Sequence, residues 1–170
     1  MKFSSWKMLI IALAVLWLQM AVMPALGWKG VTADLSLLFV ALFAFLVDYH
    51  RVFWSAFLMG CLKDLLSDSF FGLETSSLVF GAIILSQITH RFDREDTAVQ
   101  MSGIFLFSFA TLVILMILKA SVQESFAANI ACLVQSFWIA LYTTALAFLA
   151  FPAVRFFFRL KPYPKQYELF

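Results

Sequence analysis

Lys63, Asp64, Asp68 and Glu74 are the residues of this chain whose types and spacing could do chemistry, and all fall in the run AFLMGCLKDLLSDSFFGLET, residues 56–75. Asp64 and Asp68 stand four apart, so on a helix they are neighbouring carboxylates that repel unless one is protonated or a cation lies near. Such a pair can carry protons or cations, as carboxylates in transporters do, or can bind charges on a neighbouring helix. The second use is the more economical. If a helix enters hydrocarbon at Val52, just after Arg51, Asp64 lies twelve residues on, or about 18 Å at 1.5 Å per residue, inside a slab about 30 Å thick. An uncompensated charge there costs at least a few kcal/mol, so Lys63 and Asp64 are expected to face protein or trapped water.

Spacing within the run adds a packing face. Ala56, Gly60 and Asp64 recur at intervals of four, and two small side chains in that register let a neighbouring backbone come close, while Phe57 points elsewhere. Lys63 is expected to reach Ser67 and the flank of Asp68 on its own helix. Phe70, Phe71 and Gly72 then break the run, and Thr75, Ser76 or Ser77 can cap the following helix. The unit reads as helix, tight turn, helix, with Asp68 and Glu74 at the membrane surface and Asp64 deeper.

The elements that position this unit follow from composition. The 170 residues are 64% hydrophobic and 13% charged, far from the roughly 25% charged residues of a soluble domain. The chain is therefore read as an all-α, polytopic integral membrane protein with six transmembrane helices. The spans fall at about residues 8–26, 31–47, 52–68, 73–89, 101–118 and 129–151 of a single membrane domain over 1–170, and residues 152–170 form a basic cytoplasmic tail. Six helices of about 20 residues use most of the length, leaving no room for a soluble domain. A net charge of +2 is too small and dispersed to suggest nucleic acid. Cys61 and Cys132 both lie in apolar surroundings, where a thiol behaves as a small hydrophobe, so no disulfide is expected.

Taken in order, the first apolar run is longer than the core of a signal peptide and is read as an uncleaved span, with Trp6 and Trp28 at its two interfaces. Asp34 falls in the first turn of the second span, where a carboxylate complements the helix dipole. Asp48 to Arg51 turns the chain directly into the third span. Ser77 and Gly81 form a second pair of small residues on the fourth, and Gln87 near its end is placed at the interface. HRFDREDTAVQ, residues 90–100, reads as an aqueous loop, and Lys119, Gln123 and Glu124 as another. Gln135 and Ser136 lie within the sixth span and are expected to hydrogen-bond between helices, and Pro152 ends that span. The tail, with Pro162 and Pro164, is expected to lie along the membrane surface. With the N-terminus inside, nine of the 12 Lys and Arg residues are cytoplasmic, all except Lys29, Lys63 and Lys119. That bias places both termini in the cytoplasm and Asp34, Asp68, Glu74 and Glu124 on the other side.

Catalysis at membrane depth needs a nucleophile with a base, or metal ligands. His50 and His90 both fall in expected cytoplasmic turns, and no HExxH or GxSxG occurs. No enzyme, cofactor or metal is read from the sequence.

The pattern Ala56, Phe57, Gly60, Asp64, Leu65, Leu66, Ser67, Gly72 and Leu73, with the opening Asp34-Leu35 of span two, resembles the bacterial rod shape-determining protein MreD family. The chain departs from that pattern at Ala56, where glycine is usual, at Lys63, where an apolar residue is usual, and at Glu74. The resemblance implies a non-catalytic subunit of the bacterial inner membrane. It would act in the machinery of cell elongation and lateral-wall peptidoglycan synthesis, binding an MreC-type protein, a RodA-type polymerase with its penicillin-binding transpeptidase and, indirectly, the MreB cytoskeleton. The family's fold is similar to the six-helix, S-component-like bundles that bind substrate for vitamin transporters, which makes a solute-binding transporter subunit the alternative. On the scaffold reading, Asp64→Ala is expected to leave the six-helix fold in the membrane and to weaken capture of the partner.

Overall fold

The computed structural model describes residues 5–27, 31–46, 49–67, 70–91, 96–122 and 130–158. Among them lie six α-helices and no strand: α1 (Ser5–Ala21), α2 (Leu35–Leu46), α3 (Tyr49–Leu66), α4 (Leu73–Arg91), α5 (Thr97–Val122) and α6 (Ile130–Phe158). A short 3-10 helix, Met23–Leu26, follows α1. The continuous first run expected from the sequence is thus divided. Pro24 sits in the first turn of the 3-10 segment, where its missing N–H costs nothing, but its ring forbids extension of α1.

The helices are arranged around α2. Its sequence, LSLLFVALFAFL, is apolar on every side, the signature of a helix surrounded by protein. It packs against all five others, while α1 with α3, α3 with α4, α4 with α5 and α5 with α6 pack as neighbours. Leu37, Val40, Ala41 and Ala44 are buried in its core together with Met59, Leu78, Leu85, Ile104 and Phe107 from the surrounding helices. Twelve residues make a helix only about 18 Å long, shorter than a bilayer core of about 30 Å.

Among the described residues, two helices are long and apolar enough to cross a membrane, α5 over Thr97–Val122 and α6 over Ile130–Pro152. Met8–Ala21, Leu35–Phe45 and Leu73–Thr89 are shorter apolar helices. Helix α6 does not stop at Pro152 but continues to Phe158. A proline inside a helix costs about 3 kcal/mol; here Phe151, buried beside it, packs edge-on to Phe45 of α2 with ring centroids 5.8 Å apart. Lys119, expected in a loop, lies instead in the last turn of α5. Gln135, expected to bond across helices, is on the exposed side of α6, and the Ser136 hydroxyl donates back to the Cys132 carbonyl at 2.9 Å. Residues 28–30, 123–129 and 159–170 lie outside the described residues, so the expected loops at Trp28 and Glu124 and the far tail are not described.

Candidate functional site

The turn between α3 and α4 begins the site. Gly72 has φ +102°, a left-handed conformation that side-chain-bearing residues adopt at a cost. It lets the chain reverse and enter α4 directly, with the Ser76 N–H donating to the Gly72 carbonyl at 2.9 Å. The returning helix lies so close to α3 that a Cβ on Gly60 would strike the Cα and side chain of Thr75. Ala56, one turn earlier on the same face, is fully buried. Glycine at residue 60 therefore sets the distance between the two helices.

That distance brings the Asp64 carboxylate to the start of α4. Its Oδ1 accepts the Glu74 N–H at 3.0 Å, and its Oδ2 accepts the Thr75 N–H at 3.1 Å and the Thr75 hydroxyl at 2.5 Å. The first turn of a helix leaves N–H groups without partners and carries partial positive charge. Asp64, delivered from the last turn of α3, supplies the missing acceptors and the negative charge. Thr75, Ser76 and Ser77 were the expected caps. Instead Thr75 donates to Asp64, while Ser76 and Ser77 donate back to the carbonyls of Leu73 at 3.1 Å and Glu74 at 2.9 Å. The cap comes from a different helix because Gly72, at the capping position, has no side chain. Asp64 is also not deeper than Glu74: the two residues meet at one level, since α3 ends only two residues later.

Lys63 turns the other way. Its ammonium donates to Asp34 at 2.8 Å and lies 3.2 Å from Glu74, and Lys119 of α5 reaches the second oxygen of Glu74 at 3.4 Å. The sequence suggests a reach along α3 itself; the ammonium in addition binds two carboxylates outside α3, one just before α2 and one in α4. A long side chain held among helices gains more from two charged acceptors that are themselves withdrawn from water than from one hydroxyl. The Ser67 hydroxyl donates to the Asp64 carbonyl, 3.4 Å away. Asp68 lies outside the described residues.

Asp34 has a second task. Its Oδ1 accepts the N–H groups of Ser36 at 2.9 Å and Leu37 at 3.3 Å, so it stands just before α2 as its cap rather than within its first turn. Its own N–H donates to the Thr143 hydroxyl of α6 at 3.0 Å. Gln19 of α1 closes the arrangement, accepting the Leu35 N–H at 2.6 Å and donating to the Ala33 carbonyl at 3.1 Å. Five of the six helices thus contribute a polar side chain where α1, α3 and α5 finish and α2 and α4 begin, and Asp34 supplies one from just before α2.

Alternating charges Asp34, Lys63, Glu74 and Lys119 form a line across α2, α3, α4 and α5, with Asp64 on the α4 terminus beside it. Of the sequence-derived candidates, the geometry joins Asp34, Lys63, Asp64 and Glu74 to one another and Ala56, Gly60 and Gly72 to the close approach beneath them. Phe57 stands apart, exposed and edge-on to Trp54 at 6.1 Å. Gln19, Lys119 and Thr143 belong to the network and carried no distinguishing spacing in the sequence. The one local hint was a polar amide, Gln19, in an otherwise apolar run. Among the described residues, no group of three His, Cys, Asp or Glu side chains is placed to hold a metal ion. Comparison of the chain with models of protein families, with curated proteins and with solved structures found no match to any of them.

Proposed function

We propose that this chain is a membrane-embedded scaffold of the MreD type. All six helices lie in the bacterial cytoplasmic membrane and both termini are cytoplasmic. The protein holds an MreC-type partner and, with it, the RodA-type polymerase and its transpeptidase during lateral-wall synthesis. The observation that carries this reading is the full commitment of Asp64, the centre of the motif that resembles the family, to fastening α3 to α4. A carboxylate used in that way builds a rigid helical hairpin and leaves recognition to the outer surface. Embedding is supported by large apolar side chains exposed on every outer helix, among them Trp17 of α1, Trp54 of α3, Phe80 of α4, Leu106 of α5 and Leu149 of α6. Water would oppose such a surface and lipid favours it. The transporter alternative needs a solute cavity along the bundle axis, and that axis is occupied by α2.

The test is removal of the protein from its rod-shaped host, followed by recovery of a tagged copy in mild detergent. Rounded cells and co-purification of a single-span MreC-type protein are the expected result. Normal rods, with loss of uptake of one nutrient and a small molecule retained by the purified protein, would replace the scaffold with the solute-binding subunit.

A further inference from the structure

The ring of helices around α2 is incomplete. About six neighbours of equal width fit around one helix, and α2 has five, α1, α3, α4, α5 and α6. Successive members of the ring pack together, α1 with α3, α3 with α4, α4 with α5 and α5 with α6, but among the described residues α6 and α1 do not. The opening shows on α2 itself. Of its described side chains, Leu35 and Leu42 alone are half-buried, and the others are buried. Seven residues apart, these two share a face that lies about 60–80° round the helix from Phe45. Phe45 touches Phe151 of α6, so the uncovered strip of α2 runs beside α6.

Helix α6 walls the opening. The Asp34 N–H meets the Thr143 hydroxyl and Phe45 meets Phe151, so α2 lies alongside the second half of α6, and the first half reaches past the start of α2. The Tyr142 hydroxyl donates to the Leu26 carbonyl, in the 3-10 segment that follows α1, at 2.9 Å. That bond identifies the side of α6 turned toward α1. Gln135, Ile139, Tyr142 and Leu146 recur on this side at intervals of four, three and four, the spacing of a seam against another helix. Ile139, Tyr142 and Leu146 are half-buried. Gln135 is exposed, and among the described residues its amide has no hydrogen-bond partner. The apolar stretch of α6 is Ile130–Pro152, and Gln135 stands about 8 Å inside it. An amide without a partner in hydrocarbon is costly, and a polar side chain on a facing helix removes that cost.

We infer that the open place around α2, between α1 and α6, receives the transmembrane helix of a single-span partner, which lies along the α6 stripe and offers Gln135 a hydrogen-bonding side chain. This rests on the reading of the chain as a membrane scaffold and gives that reading its docking site. The opening admits one helix. Every outer helix of a second copy is joined to its own α2 and to at least one further helix, which makes it too broad to enter. A helix that stands alone in the bilayer meets no such clash and leaves its remaining sides to lipid.

The experiment keeps the full chain in the membrane of its rod-shaped host, with a tagged copy of the host's MreC-type protein. The photo-activated cross-linker p-benzoylphenylalanine replaces, in separate samples, Ile139, Leu146 and the exposed Phe80 of α4, on the opposite side of the ring. The expected result is an adduct of the chain with the tagged partner at 139 and 146, several-fold stronger than at 80. Gln135→Leu is expected to lower recovery of the partner several-fold, and Gln135→Asn to restore part of it, with the unfolding temperature of both variants unchanged. Adducts strongest at 80, or a partner that co-purifies but forms no adduct at 139 or 146, would overturn the site and leave the scaffold standing. Adducts at 139 and 146 between two copies of this chain, or closed within one copy, would put a different occupant in the opening and likewise overturn it. Full recovery of the partner by Gln135→Leu would do the same. Failure of the unaltered chain to recover the partner would remove the scaffold reading, and this inference with it.

Discussion

The α3–α4 hairpin and the α5–α6 pair are held together by different physics. In the hairpin a carboxylate from one helix caps the next, glycine at residue 60 brings the backbones close, and Lys63 ties both helices to α2. In the α5–α6 pair the contact is aromatic: Phe137 of α6 meets Phe105 and Phe109 of α5 edge-on, with centroids 5.5 and 6.3 Å away. Ring packing is additive and forgiving, because a lost ring forfeits area and dispersion and leaves no polar group stranded. A buried carboxylate is different, since its removal orphans every donor it served. The hairpin is accordingly the rigid half of the molecule, and the pair tolerates substitution.

The comparison can be broken by mutation, with the largest effect expected at Asp64. Asp64→Ala leaves two N–H groups and a hydroxyl of α4 without an acceptor; at about 1–3 kcal/mol for a buried orphan, a loss of about 3 kcal/mol in total is expected. The readout is thermal unfolding in detergent, with Asp64→Asn recovering part of the loss. To the expectation drawn from the sequence, that Asp64→Ala leaves the six-helix fold in the membrane and weakens partner capture, the cap adds this loss of stability. Unchanged unfolding of Asp64→Ala would mean that the cap does not hold the hairpin.

Next comes Gly60→Leu, which forces a side chain into the backbone of Thr75 and is expected to cost about 2 kcal/mol by overpacking. Phe57→Leu, on the exposed flank, should stay near neutral. Abundance in membranes and unfolding temperature compare the two, and equal behaviour would remove the close-approach argument. The smallest effect is expected from Phe137→Ala, about 1 kcal/mol for a half-exposed ring with two edge contacts. If its unfolding temperature fell further than that of Asp64→Ala, the assignment of rigidity to the hairpin would be reversed.

The sequence by itself determined the existence of the six helical segments, because long apolar runs broken at Pro24 and Gly72 are local signals; the stretch 90–100, expected as a loop, is instead helical at both ends, with His90 and Arg91 in α4 and Thr97 to Gln100 in α5. It also determined the close-packing face through Ala56 and Gly60, since an interval of four is a property of one helix. Which charge meets which was decided by tertiary structure. Lys63 finds Asp34, 29 residues earlier, and Glu74, 11 residues later, because a long side chain can follow either its own helix or a neighbour, and only the arrangement of α2, α3 and α4 selects between them. The same holds for Gln19 and Thr143, ordinary residues in sequence that become fasteners only when α2 is placed at the centre and its first turn must find partners away from water.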